Sequence, residues 1–572
     1  TGGSSVLAAP RAPGLSDPAG TASEISAPEA YRRSMELMWN YDLDSARGLL
    51  EPRRRTCAFH AGAYAECCAL RVVLTGQRSE AAAALELVQA AELLGEERRG
   101  GPDGAARQVL SAELLLLRSG LQVLLGARFR AAFNLRQCWC TYRRLEHLLA
   151  APDGREAATP GGIAGAAAAG AGGRDAEAAA TAAGRSFCEE ASEAGAFLSA
   201  ADLRGRLCFG LGFFYLATSL LPLGLSQLAR LAGFATHRSR GKAYLAECAE
   251  CGLGPRTAPA AIVLAAYHLD IEPDVRRAGE LLVASLGQRP ENVLLHWAGS
   301  LLAWRNACIA QAVEMTGKAL WCCGEELGGR AVYLQYELGT LRFMTMDWPE
   351  ARQHLRFVLE SARSGQVLVP YRTVVASQVA AAAFSMGLDE EGEAACRECI
   401  ALQEPGSTSR LEGDFAEVLQ LFLRQRVPGR RLLAFEVLYL LRQLPRLPVP
   451  TLQEMEARLA AWPAAEGGGP AAVDVEHCGA QVLRCVVLFY IGDVEESSAL
   501  APELARLCGR LPRWCAYLAA HGLYWCGRTL ALAGRRADAL CCLRQARAHR
   551  RYPFNISSKI TKVLEELEAS GA

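Results

Sequence analysis

Two pairs of cysteines have a spacing that can hold zinc or support redox chemistry. Cys248 with Cys251, and Cys396 with Cys399, lie three residues apart, so both thiols of a pair fall on one face of a helix. Both pairs occur in alanine-rich helical patterns rather than in knuckle turns, and a zinc site would require the two distant pairs to meet. We therefore favour small buried cysteines over a zinc or redox site, and we predict no metal and no cofactor.

The other residues that could carry catalysis are scattered along the sequence. The 9 histidines form no HExxH pattern, and the sequence contains neither a phosphate-binding GxxxxGK[ST] loop nor a GxSxG nucleophile elbow. Gly210 and Gly212 lack the flanking strand that a dinucleotide-binding fingerprint requires. We predict a protein that is not an enzyme and has no catalytic residues.

The charge balance argues against an electrostatic partner. The 61 lysines and arginines equal the 61 aspartates and glutamates, so no net charge attracts nucleic acid or an acidic membrane. The basic triplet Arg53 to Arg55 follows a predicted helix end, where arginine favours the helix dipole. Cysteines within apolar helical patterns favour a reducing compartment, and residues 1–28 lack the basic start and apolar core of a signal peptide. We expect a cytoplasmic protein that does not bind nucleic acid.

Three low-complexity stretches divide the chain. Residues 1–28 are rich in proline, glycine and serine and are predicted to be disordered. Residues 151–184 form an alanine-glycine insertion that is also predicted to be disordered, and residues 463–470 form a linker. The segments between them are 29–150, predicted as N-terminal helical hairpins; 185–462, a central helical repeat domain; and 471–566, C-terminal tetratricopeptide-like repeats.

An internal repeat predicts the architecture. Apolar residues recur three and four positions apart, which is typical of helices, and small residues recur at the spacing of a two-helix hairpin of about 34 residues. From Gly527 and from Gly339, offsets of 7, 12, 16 and 19 reach Gly534, Ala539, Leu543 and Ala546, and Met346, Ala351, Leu355 and Val358. Weaker copies begin at Ser34, Gly120 and Ser300. The sequence therefore predicts an all-α fold, an α-solenoid of tetratricopeptide-like helical hairpins.

Five longer stretches occur in an order that is characteristic of one family. They are MELMWNYDLDSARGLLEP (35–52), GLGFFYLATSLLPLGLSQLARLAGF (210–234), VLAAYH (263–268), LPVPTLQEM (447–455) and YPFNISSKI (552–560). Together they resemble the tetratricopeptide repeat protein 39 and inclusion-body-clearance family. The resemblance implies a cytosolic helical-repeat protein without known catalytic activity, in a family linked to inclusion-body clearance, lipid homeostasis and cilia. The alanine-glycine insertion and the single Pro222 depart from the family pattern.

Residues 207–229 contain no charged side chain and are long enough to span a bilayer. Pro222 and several glycines interrupt the run, and a helix buried on all sides within a repeat array would have the same composition. We favour a core helix, with a peripheral lipid contact and a membrane span as alternatives. If this segment is exposed, Phe209, Phe213 and Phe214 are the predicted lipid-contacting residues.

The inner face of the array is the predicted binding groove. In a stacked array the first helix of each hairpin lines this face, and aromatic side chains there suit an apolar or extended peptide. The candidate groove residues are Tyr333, Tyr336, Thr340, Phe343, His521, Tyr524 and Arg528; the alternative is that they pack against neighbouring hairpins. We predict a scaffold or adaptor that binds other proteins, with an adaptor on lipid droplets or membranes as the alternative. Partner identity and oligomeric state are left open.

Overall fold

The protein is built from helices, as the sequence predicts. The computed structural model describes residues 25–96, 104–149, 197–222, 227, 233–363, 365–369, 371–402, 409–425, 430–462 and 475–569. Within these ranges there is no β-strand, only an isolated bridge between Gln77 and Val367. Most of the predicted disordered N-terminus (residues 1–24), the insertion at 151–184 and the linker at 463–470 lie outside the described residues.

The helices are numbered here in chain order. The first nine are α1 (Ala27–Trp39), α2 (Leu43–Leu50), α3 (Ala58–Thr75), α4 (Arg78–Glu96), α5 (Gly104–Leu124), α6 (Arg128–Leu145), α7 (Ala200–Ser219), α8 (Arg238–Glu250) and α9 (Thr257–Asp270). The next nine are α10 (Val275–Gln288), α11 (Val293–Arg305), α12 (Ile309–Cys322), α13 (Gly324–Gly328), α14 (Val332–Met344), α15 (Trp348–Arg363), α16 (Arg372–Ser385), α17 (Asp389–Ala401) and α18 (Arg410–Gln425). The last are α19 (Leu433–Leu440), α20 (Val449–Ala460), α21 (Val475–Ile491), α22 (Val494–Cys508), α23 (Ala516–Leu532), α24 (Arg536–Ala548) and α25 (Ser557–Ala569).

The chain divides into two compact units. The first contains Thr1–Leu70 and Ala82–Ala260, and the second contains Arg71–Ala81 and Ala261–Ala572. The turn between α3 and α4 belongs to the second unit, where the Leu368 amide donates to the Gly76 carbonyl at 2.7 Å. The sequence-based division into 29–150, 185–462 and 471–566 stays a prediction.

A left-handed residue ends the first helix of many hairpins. The residues with positive φ in this position are Tyr41, Gly126, Ala307, Met346, Gly387, Gly492 and Gly534. The amide after each one donates back to a helix carbonyl, as in the bonds from Asp347 to Arg342 (3.0 Å) and from Arg535 to Leu530 (2.8 Å). This bond satisfies a carbonyl at the helix end and sets the direction in which the second helix leaves.

Small buried residues flank each of these turns at constant spacing. Seven positions earlier lie Ser34, Ser119, Ser300, Gly339, Ala380, Cys485 and Gly527, and five positions later lie Ala46, Ala131, Ala312, Ala351, Gly392, Ser497 and Ala539; all are buried. A Cβ added at Gly527 would lie 2.5 Å from Cγ of Leu543, which is too close for packed atoms. The helices of a hairpin therefore cross where their side chains are smallest.

The predicted copy that begins at Gly120 is shifted by one residue. Gly120 and Ala132 are exposed, whereas Ser119 and Ala131 are buried and Gly126 supplies the left-handed turn. The prediction took glycine as the crossing residue, but here the crossing residue is serine. The hairpin of α5 and α6 is present, and only its register differs from the prediction.

A buried ion-pair network ties the first unit together. Glu113 accepts hydrogen bonds from the guanidiniums of Arg206 and Arg256, the latter at 2.8 Å. Arg256 also pairs with Glu66, and Arg206 donates to the Tyr31 hydroxyl at 2.7 Å. Burial opposes ionisation of Glu113, but the two guanidiniums outweigh it and hold the pKa of Glu113 below its usual value. The network links α1, α3, α5, α7 and the turn before α9.

Glycines allow α7 and α8 to pack in close contact. A Cβ added at Gly212 would lie 2.8 Å from Cγ of Leu245, and one added at Gly241 would lie 2.7 Å from the Leu216 amide nitrogen. Backbone atoms cannot move aside as a flexible side chain can. The GLGFF stretch, whose glycines lack the flanking strand of a dinucleotide-binding fingerprint, therefore serves helix packing.

Replacement of Gly241 by alanine tests this close packing. We expect Gly241→Ala to destabilise the first unit by about 1–3 kcal/mol, because the added methyl overpacks the α7–α8 crossing. Gly120→Ala is the matched control, since nothing lies within 4 Å of a Cβ added there, and it should be neutral or slightly stabilising. Thermal melting of the two variants beside wild type measures the difference, and equal Tm values for both variants would refute the close crossing.

Candidate functional site

The predicted groove residues on α14 lie mainly in packed positions. Tyr333, Tyr336 and Thr340 are half-buried, and the Tyr333 hydroxyl donates to the Leu368 carbonyl. Phe343 is fully buried and meets Trp348 edge-on, with ring centroids 5.1 Å apart. The packing alternative therefore describes Phe343, whose ring is not at the surface.

The predicted groove residues on α23 are also largely interior. His521 and Tyr524 are buried, while Arg528 is half-buried and donates to the Tyr524 hydroxyl at 3.3 Å. The Arg528 guanidinium lies 5.0 Å from the ring centroid of Phe489, a cation–π distance. His521 differs from the others because it lines a cleft, which is described below.

The candidate lipid-contacting residues lie on α7. Phe214 is only 4% exposed and packs against Trp139, so its ring does not reach the surface. Phe209 and Phe213 are half-buried, and their rings stack with centroids 6.2 Å apart. None of the helices in the described part of the chain has the length and apolarity needed to cross a membrane.

Three of the four CxxC cysteines are buried. Cys396 and Cys399 are buried and lie 16 and 19 residues after Ala380, the crossing residue of the α16–α17 hairpin. Cys248 is buried and donates to the Gly205 carbonyl, whereas Cys251 is exposed. Burial raises the pKa of Cys248 to about 12, which disfavours the reactive thiolate. Among the residues that the structure describes, no group of three or more His, Cys, Asp or Glu side chains is placed to hold a metal.

A narrow cleft in the second unit combines apolar walls with a few polar side chains. We call it the C-terminal cleft; it lies between α19, α21 and α23, with a further wall from α18, and its open volume is about 30 Å³. Its lining residues are Phe422, Leu432, Glu436, Tyr439, Leu440, Val475, Glu476, Gly479, Val482, Leu483, Tyr517, Leu518 and His521. Apolar pockets with a few convergent polar groups are the usual form of a binding site.

A chain of hydrogen bonds fixes two of the lining side chains, Tyr439 and His521. Trp525 Nε1 donates to the Tyr439 hydroxyl at 2.8 Å, and that hydroxyl lies 2.6 Å from Nδ1 of His521. His521 Nε2 lies 3.0 Å from the Phe554 carbonyl oxygen, an acceptor, so Nε2 carries the proton and Nδ1 accepts from Tyr439. Burial lowers the pKa of His521 to about 4. His521 is therefore a neutral, oriented side chain at physiological pH.

Phe554 belongs to the YPFN stretch and has an unusual backbone. Its φ is 54°, in the left-handed region, and its ring meets Phe415 edge-on with centroids 4.8 Å apart. Tyr552, two residues earlier, packs against the His521 ring. This conformation aims the Phe554 carbonyl at His521, so the YPFN stretch positions one polar side chain of the cleft.

Glu436 is the buried carboxyl group among the lining residues, and Glu476 is half-buried. Glu436 is 6% exposed, and Tyr517 donates to its Oε1 at 2.7 Å. Burial raises the pKa of Glu436 to about 7, although the bond from Tyr517 acts in the opposite direction. A carboxyl group with this pKa is protonated in a large share of molecules at neutral pH, so it can donate as well as accept a hydrogen bond.

The cleft was only partly foreseeable from the sequence. His521 was predicted as a groove residue, but Glu436, Tyr439 and Tyr517 were not. One signal was present: Glu436 is the single charge in LLAFEVLYLL (432–441), and a lone carboxylate within an apolar run indicates a buried acid. Its partner Tyr517 is 81 residues away in the sequence. A local sequence pattern therefore cannot predict this contact.

The chain resembles known helical-repeat proteins. A family model described as Iml2/Tetratricopeptide repeat protein 39 matches residues 32–371, a range that ends before the C-terminal cleft. No curated protein matches the chain. Among solved structures, the match to yeast Tom70 has 11% identity and a TM-score of 0.24, and covers 95% of this chain and 96% of that chain.

Two further solved structures match at similar levels. The apo form of the quorum sensor NprR from B. thuringiensis has 12% identity and a TM-score of 0.27, covering 63% of this chain and 98% of that chain. The P58(IPK) TPR domain has 11% identity and a TM-score of 0.20, covering 88% of this chain and 95% of that chain.

Replacement of Glu436 by glutamine tests its raised pKa. A carboxyl group whose pKa rises from about 4.5 unfolded to about 7 folded binds more protons in the folded state between these pH values. Its contribution to stability is therefore present below about pH 4.5 and is lost as the pH rises to about 7. We expect Glu436→Gln to match wild type near pH 4.5 and to be more stable at pH 8 by up to roughly 3 kcal/mol.

Thermal or urea unfolding from pH 4.5 to pH 8 measures this difference. His521 and the other titrating groups are common to both proteins, so their effects cancel in the comparison. Glu390→Gln, which alters an exposed carboxylate, is the control and should follow wild type at every pH. Parallel profiles for Glu436→Gln and wild type would show that Glu436 titrates normally.

Proposed function

This chain belongs to the Iml2/Tetratricopeptide repeat protein 39 family, and from that premise we propose that it is a non-catalytic scaffold that binds partner proteins. We propose that partners bind at the C-terminal cleft. The cleft is occupied by an apolar side chain from a segment of the partner. The observation that carries the proposal is an apolar cleft with a buried, partly protonated carboxyl group at Glu436 and a fixed neutral imidazole at His521.

The chemistry of the cleft favours binding of an uncharged group. Leu432, Val482 and Leu518 offer apolar contact, which is the main source of affinity in such pockets. Glu436 can accept a hydrogen bond from a backbone amide of the partner or donate one to a backbone carbonyl. This bond would favour one orientation of the partner segment. The open volume of about 30 Å³ admits a group of methyl size, so a larger side chain requires the walls to move.

The cellular role is also part of the proposal. The resemblance implies a cytoplasmic adaptor in inclusion-body clearance, lipid homeostasis or cilia. An adaptor that contacts lipid droplets or membranes through residues 207–229 is the second candidate, and the burial of Phe214 makes it the weaker one. We infer that proteins of this family act by binding partner proteins and do not catalyse a reaction themselves.

A photoreactive phenylalanine analogue placed at single positions distinguishes the candidate surfaces. Phe422 reports on the C-terminal cleft, Tyr336 on the predicted inner groove and Phe209 on the candidate lipid contact; each is half-buried and aromatic, so each tolerates a similar probe. After irradiation of intact cells, we expect a discrete protein adduct from position 422 and little from the other two. Adducts confined to position 336, or lipid adducts confined to position 209, would overturn the assignment to the cleft.

A variant that fills the cleft provides the quantitative test. Gly479 lines the cleft, and a Cβ added there would lie 2.9 Å from Cδ2 of Leu432. We expect Gly479→Leu to reduce capture of the position-422 partner by at least about tenfold, which corresponds to roughly 1.4 kcal/mol. Gly120→Leu, on an exposed helix face, is the control. Unchanged capture by a Gly479→Leu protein that melts like wild type would exclude the cleft.

A further inference from the structure

The hairpin of α5 and α6 is basic, although the whole chain is neutral. Residues 104–149 contain seven arginines and two carboxylates, a net charge of +5, whereas the 61 basic and 61 acidic side chains of the full sequence cancel. The arginines are Arg107, Arg118, Arg128, Arg130, Arg136, Arg143 and Arg144. A local excess of this size creates a field that the overall balance conceals.

The two carboxylates of this stretch pair with arginines other than Arg128 and Arg130. Glu113 is buried in the ion-pair network with Arg206 and Arg256. Glu146 is also buried, and it accepts from the Tyr215 hydroxyl at 2.9 Å and pairs with Arg143 and Arg240. Glu113 is thus occupied by buried arginines and Glu146 by two exposed ones, and Arg118 pairs with Glu92 at 2.8 Å. The arginines that matter for the turn of the hairpin are therefore Arg128 and Arg130, both exposed.

Large apolar side chains project from the same hairpin, around the turn that joins its helices. Phe129 is 95% exposed and Phe133, one helical turn further along α6, is 60% exposed. Val123 and Leu124 at the end of α5 are also exposed. Arg128 and Arg130, both exposed, flank Phe129 in the sequence. We call these six residues the tip surface.

We propose that the tip surface binds the surface of an anionic phospholipid bilayer. The phenyl rings enter the boundary between headgroups and acyl chains, and the arginines contact the phosphates and the anionic headgroups. A side chain that is 95% exposed projects from the protein rather than lining a pocket, so a protein partner would have to supply a matching cavity. A bilayer needs no such shape complementarity, and its negative charge complements the arginines.

The tip surface shares no residue with the C-terminal cleft or with residues 207–229. Binding of a bilayer is therefore a different activity from binding of a partner protein. A test of one does not decide the other. The proposal differs from the expectation drawn from the total charge. The neutral total indicated no attraction to an acidic membrane, but the total charge does not describe the α5–α6 hairpin.

Vesicle co-sedimentation of the full chain is the test. We expect binding to vesicles of phosphatidylcholine with about 30 mol% phosphatidylserine, weak binding to phosphatidylcholine alone, and a loss of binding in high salt. Phe129→Ser with Phe133→Ser should reduce binding by at least about tenfold. Arg128→Gln and Arg130→Gln should each reduce it by about fivefold.

Matched controls exist elsewhere on the surface. Leu93→Ser removes another exposed apolar side chain of the first unit, and Arg276→Gln removes another exposed arginine; both should bind like wild type. Thermal melting checks that every variant is folded. Absence of vesicle binding, equal binding to both lipid compositions, or binding that the tip variants leave unchanged would overturn the proposal. So would a preference for a poly-glutamate peptide over the anionic vesicles, because the tip would then serve an acidic protein.

Discussion

Close approach of two helices is the constraint on which this structure depends. A hairpin can bury its apolar face only if small residues meet where its helices cross, and the chain must reverse direction a fixed distance from that crossing. Gly527, Gly534 and Ala539 satisfy both conditions in the last hairpin before α25, and Ala380, Gly387 and Gly392 satisfy them with a different set of side chains. A left-handed residue is unfavourable for Met346, which has a φ of 59°, so packing of the hairpin must outweigh this local cost.

Polar groups stabilise the first unit where small residues alone do not determine the packing. Glu113 joins Arg206 and Arg256, and removal of Glu113 would leave two buried guanidiniums without the carboxylate that they share. Such a network adds little net stability over a well-packed apolar core, but it tolerates few alternative arrangements. The network connects helices that are distant in sequence, and the glycines of α7 and α8 allow these two helices to approach closely.

The sequence predicts the repeat better than it predicts the surface. The hairpins at Gly339 and Gly527 were recognisable because turn and crossing residues lie within one local pattern. The hairpins at Ala380 and Cys485 were missed because alanine and cysteine are common throughout this chain, and the copy at Gly120 was displaced by one residue because serine is the crossing residue there. The exposure of a side chain depends on the helices packed around it. Phe343 lies on a helix face that Trp348 covers, and the local spacing of residues does not predict this contact. The cleft depends on Glu436, Gly479 and Tyr517, which three different helices bring together.

The same reasoning explains why the candidate sites lie where they do. In an array of hairpins most side chains are committed to packing, and function is confined to positions at which a neighbour is missing or imperfect. The C-terminal cleft is such a position, because α19 is only two turns long and leaves Glu436 and Tyr439 beside a gap between longer helices. The tip surface is another, because the Phe129 side chain is 95% exposed. Burial of a carboxyl group in the cleft opposes stability, and a phenyl ring that stays exposed at the tip adds no burial to the fold. Packing of the hairpins accounts for neither residue, and for this reason both are candidates for binding.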